Sequence, residues 1–155
     1  MFDMRDFDFD TQEGMDKAFK TYFEEISKDK EIINYLIRLT YVRCDYQKKE
    51  LVLKIIPQKW MTNPYGIVHG GISATVLDTA MGVLCRYYSR GKMTPSISLN
   101  LTYLGMIKVD KPIYIVSHIN KTGASINYAS SYIYCDNPDV HLVEASGAYF
   151  VLNED

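Results

Sequence analysis

Residues 68–82 read VHGGISATVLDTAMG, and between Gly70 and Cys85 the only charged side chain is Asp78. Ala, Leu and Met dominate the longer stretch Gly70–Tyr88, whose length favours a helix over a strand. A helix that is apolar on all sides is expected to be buried. A carboxylate in its middle is costly unless it is paired, partly wetted or useful. One helical turn from Asp78 stand Ala74, Thr75, Met81 and Gly82, none of them cationic, so its partner must come from elsewhere in the chain.

Working outward, residues 11–28 (TQEGMDKAFKTYFEEISK) place Met15, Ala18, Phe19, Tyr22, Phe23 and Ile26 on one helical face. A short second helix is expected near Lys30–Leu36. Ile37–Tyr46 and Glu50–Pro57 are β-rich and flank the polar DYQKKE turn, as in a hairpin. The loop Thr62–Gly66 then leads to the long helix. Beyond Gly91, Thr94–Leu104, Pro112–Asn120, Ile126–Cys135 and Leu142–Leu152 are rich in Ile, Val, Tyr, Thr and Ser. Turns separate them, and consecutive strands with short connections predict an antiparallel meander. The sum is an α+β domain over 1–155, with 1–36 as an N-terminal helical extension. One curved antiparallel sheet wraps the central helix, and the first helix closes an open side.

Bulk properties narrow the function. The chain has 155 residues, enough for one domain with a full core, and a net charge of −2. Neither nucleic acid nor a polybasic membrane role gains support from that charge. The start, MFDMRDFDFD, is acidic and lacks the apolar run of a secretory signal. Trp60–Leu77 is uncharged but broken by Asn63, Pro64, His69 and three glycines, a poor membrane span. Cys44, Cys85 and Cys135 match neither a zinc spacing nor a disulfide framework, so reduced thiols in the cytoplasm are expected. No G-x-S-x-G elbow, no G-x-x-x-x-G-K-[ST] and no G-x-G-x-x-G occurs. His118 and His141 have no carboxylate partner in sequence and read as surface or satisfied histidines. Glu144 reads as solvent-facing. Arg86, Arg90 and Lys92 form a basic turn after the helix.

The stretch NPYGIVHGGISATVLDTAMG resembles the signature of hotdog-fold acyl-CoA thioesterases of the phenylacetate-pathway, or PaaI-like, group. Asn63 precedes His69-Gly70-Gly71 by six residues, and Asp78 follows Gly71 by seven. Ser96, with Asn100, Thr102 and Tyr103 in an N-x-T-Y segment, is also similar to members of this group. The resemblance runs from roughly Val42 to Leu152. It implies the hotdog fold, hydrolysis of an acyl-CoA, and a dimer often paired into a tetramer. It implies Asp78 as general base or nucleophile and Gly70 as oxyanion donor. Coenzyme A would enter as part of the substrate, with no further cofactor and no metal. A hotdog hydratase or dehydratase and a non-catalytic acyl-CoA-binding protein are the competing readings.

The residues suit thioester chemistry on their own account. A helix N-terminus offers unpaired N–H groups and partial positive charge, and glycine lets a carbonyl approach the backbone. The Gly70 N–H is the candidate oxyanion donor, with Gly71 beside it to receive substrate. Asn63 can hold a water or the substrate carbonyl. His69 can donate to the thioester or orient the Gly70 loop. For Ser96, positioning of the attacking water beside Asp78 is what the resemblance implies. Asp78 lies eight residues beyond Gly70, about 12 Å along a helix at ~1.5 Å per residue. One carbonyl cannot touch both, so a shared site requires two subunits with antiparallel copies of the helix.

Overall fold

Thr11 opens the first helix: its side-chain oxygen accepts from the Gly14 N–H at 3.0 Å, and α1 runs Gln12–Ile26. The computed structural model describes residues 2–153. Helix α2 is a single turn and a half, Ile33–Ile37, with no side-chain cap at its start. Arg38 follows in the left-handed region (φ 56°), which ends α2 and delays the first strand. Strand β1 therefore spans Thr40–Asp45 rather than beginning at Ile37, and it forms the expected hairpin with β2, Glu50–Ile55. Helix α3 occupies Gly70–Tyr88, the bounds that the sequence predicts. The remaining strands are β3 (Ser96–Tyr103), β4 (Ile113–Lys121), β5 (Ile126–Tyr134) and β6 (Val143–Phe150).

All six strands form one antiparallel sheet in the order β1-β2-β4-β5-β6-β3. The expected four-strand meander is correct only for β4-β5-β6. The chain leaves β3 through residues 104–112 and crosses to the far side, where β4 pairs with β2 in the register Val52↔Val116. Strand β3 remains at the other edge, beside β6, in the register Asn100↔Ser146. Hydrogen bonding, not sequence adjacency, decides the neighbour.

The concave face of this sheet packs on α3, which meets β2 through β6. Val76, Leu77, Ala80, Met81, Val83, Leu84, Cys85 and Tyr87 are buried against it. Cover on most sides of α3 is what the apolar sequence predicts, and one side is left partly open. Gly71 is exposed, and Ala74, Thr75, Asp78, Thr79 and Gly82 are only half-buried. These residues recur every three or four positions, so they form one stripe that is left partly open, with hydroxyls from β3 and β6 reaching Asp78 in its middle. Asp78 therefore sits on a partly open face rather than in a sealed core.

Helix α1 closes the β1 edge. Gln12 clamps β1 from both ends of its amide: Nε2 donates to the Cys44 carbonyl at 3.1 Å, and Oε1 accepts from the Tyr46 N–H at 2.8 Å. The Tyr41 hydroxyl donates to Asp16. Phe19 packs on Tyr87, ring centres 5.3 Å apart, and ties α1 to the end of α3.

Candidate active site

His69 caps α3 in an unusual way for its residue type. Its Nδ1 accepts from the Gly71 N–H at 2.9 Å, so the ring proton belongs on Nε2. The His69 carbonyl accepts from Ile72 at 2.9 Å and Ser73 at 3.3 Å. The Gly70 N–H finds no acceptor among the described residues, which leaves it as the free donor at the positive end of the helix. Of the two roles expected for His69, orienting the glycine turn is the one its contacts fulfil.

A cleft of about 630 Å³ opens at this end, lined by Asn63, Gly70, Gly71, Tyr103, Met106 and Ile107 among others. Asn63 holds the loop shape: Oδ1 accepts from the Tyr65 N–H at 2.9 Å, and its carbonyl accepts from the Gly66 N–H at 3.0 Å. Its Nδ2 donors remain unused among the described residues. Tyr103 leans over the helix start and donates to the Gly70 carbonyl at 2.8 Å. A Cβ on residue 70 would lie 3.0 Å from that hydroxyl, so glycine is what permits the close approach.

Asp78 does not line this cleft. Its partners are two hydroxyls from distant strands. Ser96 Oγ donates to Oδ1 at 2.6 Å, and Tyr149 OH donates to Oδ1 at 3.1 Å and to the Asp78 carbonyl at 3.3 Å. Burial, reinforced by the Asp78 charge, pushes the Tyr149 phenol above its ordinary range, so it stays a neutral donor. Within one chain the expected residues thus fall into two groups: Asn63, His69, Gly70 and Gly71 at the helix start, and Asp78 with Ser96 two turns on.

Tyr103 carried no role in the sequence reading beyond its place in the N-x-T-Y segment, and Tyr149 carried none. Among thirteen tyrosines nothing local marks these two. Both remaining histidines are satisfied, as expected, though by partners that the sequence does not reveal. His118 Nε2 lies 2.7 Å from Glu50 Oε2, and His141 Nδ1 lies 2.7 Å from Glu144 Oε1, so both have carboxylate partners in space. Glu144 is exposed, as expected. Arg90 pairs with Asp10 at 2.9 Å, Arg86 donates to the Gly91 carbonyl at 3.1 Å, and Lys92 reaches Asn153 at 2.9 Å. All three cysteines are free thiols. No group of three or more His, Cys, Asp or Glu side chains suited to a metal ion occurs among the described residues.

A curved antiparallel sheet around one long helix, with a glycine pair at the start of that helix, defines a hotdog-fold protein. Residues 65–139 match the family described as the thioesterase superfamily. Mouse acyl-coenzyme A thioesterase 13 is 32% identical over 84 residues, 53% of this chain and 59% of the mouse protein. The human protein of the same name is 27% identical over 119 residues, 76% of this chain and 82% of its own length. Among solved structures, zebrafish thioesterase superfamily member 2 has a TM-score of 0.78 at 18% identity, covering 88% of this chain and 97% of its own. The Escherichia coli PaaI protein has a TM-score of 0.72 at 12% identity, covering 87% and 96%. The chain thus has the hotdog fold of these solved structures, and its residues 65–139 are similar to the thioesterase superfamily.

Proposed function

We propose that this protein is an acyl-CoA thioesterase working as a homodimer with two composite sites. The observation that carries the reading is the pairing of a free Gly70 N–H in a cleft with a hydroxyl-held carboxylate, Asp78, on the same helix. The names of the mouse and human relatives support the activity. A Streptococcus mutans protein solved with acetyl CoA, TM-score 0.66 and 18% identity over 75% of this chain and 90% of its own, supports the ligand class.

In this reading the thioester carbonyl sits between the Gly70 N–H and the Asn63 amide of one subunit. Asp78 of the other subunit either takes a proton from water or attacks directly. In the first route the water oxygen bonds to the thioester carbon, and the carbonyl electrons move onto the oxygen facing Gly70. Collapse breaks the C–S bond, and the thiolate takes the proton from Asp78. A carboxylic acid and a free thiol result, with no metal or further cofactor in the balance. The small-residue stripe of α3 lets two helices approach closely, and β3 offers an unpaired edge with Ile97 and Tyr103 each more than half exposed. The outer sheet face would serve a dimer of dimers. Free thiols suit the cytoplasm, and no described helix is long and apolar enough to cross a membrane.

The test is thiol release from short, medium, long and aromatic acyl-CoAs by the wild type and by Asp78→Asn. The wild type is expected to turn over at least one class and the variant to lose about 10³-fold or more, as expected when a catalytic base is removed. Binding of acyl-CoA without turnover by the wild type would replace this reading with that of a non-catalytic acyl-CoA-binding protein.

A further inference from the structure

The two hydroxyls that reach Asp78 both meet the same oxygen. Ser96 Oγ and Tyr149 OH converge on Oδ1, at 2.6 and 3.1 Å, and no described residue donates to Oδ2. A carboxylate held this way has one oxygen saturated and one free, with its plane fixed by donors from two different strands. Tyr149 is 0% exposed, so its aim cannot wander. Gly147 makes room for its ring, and Gly82 lies against the other edge. A Cβ on Gly147 would lie 2.8 Å from a ring carbon and 3.1 Å from the hydroxyl oxygen, and a Cβ on Gly82 would lie 3.5 Å from the opposite ring edge. The ring is therefore threaded between β6 and α3 in a slot that a larger residue at 147 would fill.

We propose that Tyr149 is a positioning residue: with Ser96 it holds Asp78 Oδ1 so that Oδ2 is the oxygen that acts on the thioester or its attacking water. This rests on the hydrolase reading of Asp78 given above. The inference goes beyond that reading by assigning the two carboxylate oxygens different tasks and by giving the Gly147–Gly82 slot a purpose. The titratable neighbours of the pair are Tyr149 itself on β6 and Cys85 on α3, whose thiol burial pushes up to about 12. Neither carries charge near neutral pH. Hydroxyl donation is thus what steadies the carboxylate, since no cation does so.

Removing a donor loosens the orientation of the carboxylate, so the loss falls on kcat rather than on KM. Tyr149→Phe keeps the ring in its slot and deletes only the hydroxyl. We expect kcat to fall about tenfold with KM changed less than about threefold. Ser96→Ala should act in the same direction, and the double variant should exceed either. If Asp78→Asn is inactive while Tyr149→Phe keeps the wild-type kcat and KM, the positioning role is overturned and the hydrolase reading stands. If Asp78→Asn retains full turnover, the catalytic role of Asp78 falls and the positioning of its oxygens with it. Should Tyr149→Phe not fold, 3-fluorotyrosine at position 149 keeps every contact and makes the phenol a stronger donor. Then kcat must change while KM holds, and an unchanged kcat overturns the proposal.

Discussion

His69 separates two kinds of residue that look alike in sequence. A histidine before two glycines invites a catalytic role, yet its Nδ1 is engaged with the Gly71 N–H as a helix cap. Loss of an N-cap costs about 1 kcal/mol, which lowers Tm by about 2–4 °C in a chain of this size. His69→Ala should show that loss. His69→Asn supplies a side-chain oxygen suited to the same N–H and should restore both Tm and turnover. Recovery of Tm without turnover would mean that the Nε2–H, and not the cap, is what the reaction uses. Asn63 shows the same division within one side chain, since its oxygen shapes the loop while its nitrogen is left to donate.

At the scale of elements, the docking of α1 on β1 depends on one half-buried carboxylate. Burial is the largest single influence on Asp16 and opposes its ionisation. Hydrogen bonds from Tyr41, Gln12 and Cys44 together outweigh burial and hold the group below its ordinary value. A carboxyl group depressed in the folded state contributes stability above its unfolded value, near 3.9, and loses it as pH falls through the folded value. Asp16→Asn should therefore cost about 1 kcal/mol at pH 7, and the gap to wild type should narrow in urea titrations carried from pH 5 down to pH 2. A gap independent of pH would show that the ionised form of Asp16 is not what fastens the helix. Elements of this kind divide by how local their signals are. Helix α3 declares its own ends, because an unbroken apolar run begins at the glycine pair and stops at the Arg86–Lys92 basic turn. The place of β3 does not declare itself. Its neighbour is β6, more than forty residues on, and nothing in 94–104 distinguishes pairing with β4 from pairing with β6. The same non-locality hid Tyr149, which lies 71 residues from Asp78. Its one local sign is Gly147, two positions back on the same face of β6, where a strand otherwise gains from a side chain.

For the whole molecule, the separation of Gly70 from Asp78 becomes a prediction about stoichiometry. One chain presents the free N–H in a cleft and the carboxylate about 12 Å away along a straight helix, on a stripe left partly open. A second copy related by a two-fold axis would bring its own Asp78 to the cleft and leave its own Gly70 facing the first chain's carboxylate. Asn63→Ala damages one half of each site and Asp78→Asn the other. In a mixed dimer, one composite site collects both defects and its twin collects neither. Random exchange of subunits makes half of the dimers mixed, so about one quarter of all sites are intact. Unfolding and refolding the two inactive variants together should thus recover about a quarter of wild-type turnover, while either refolded alone stays inactive. Sites built within a single chain would give no recovery, because every site would then keep one defect or the other.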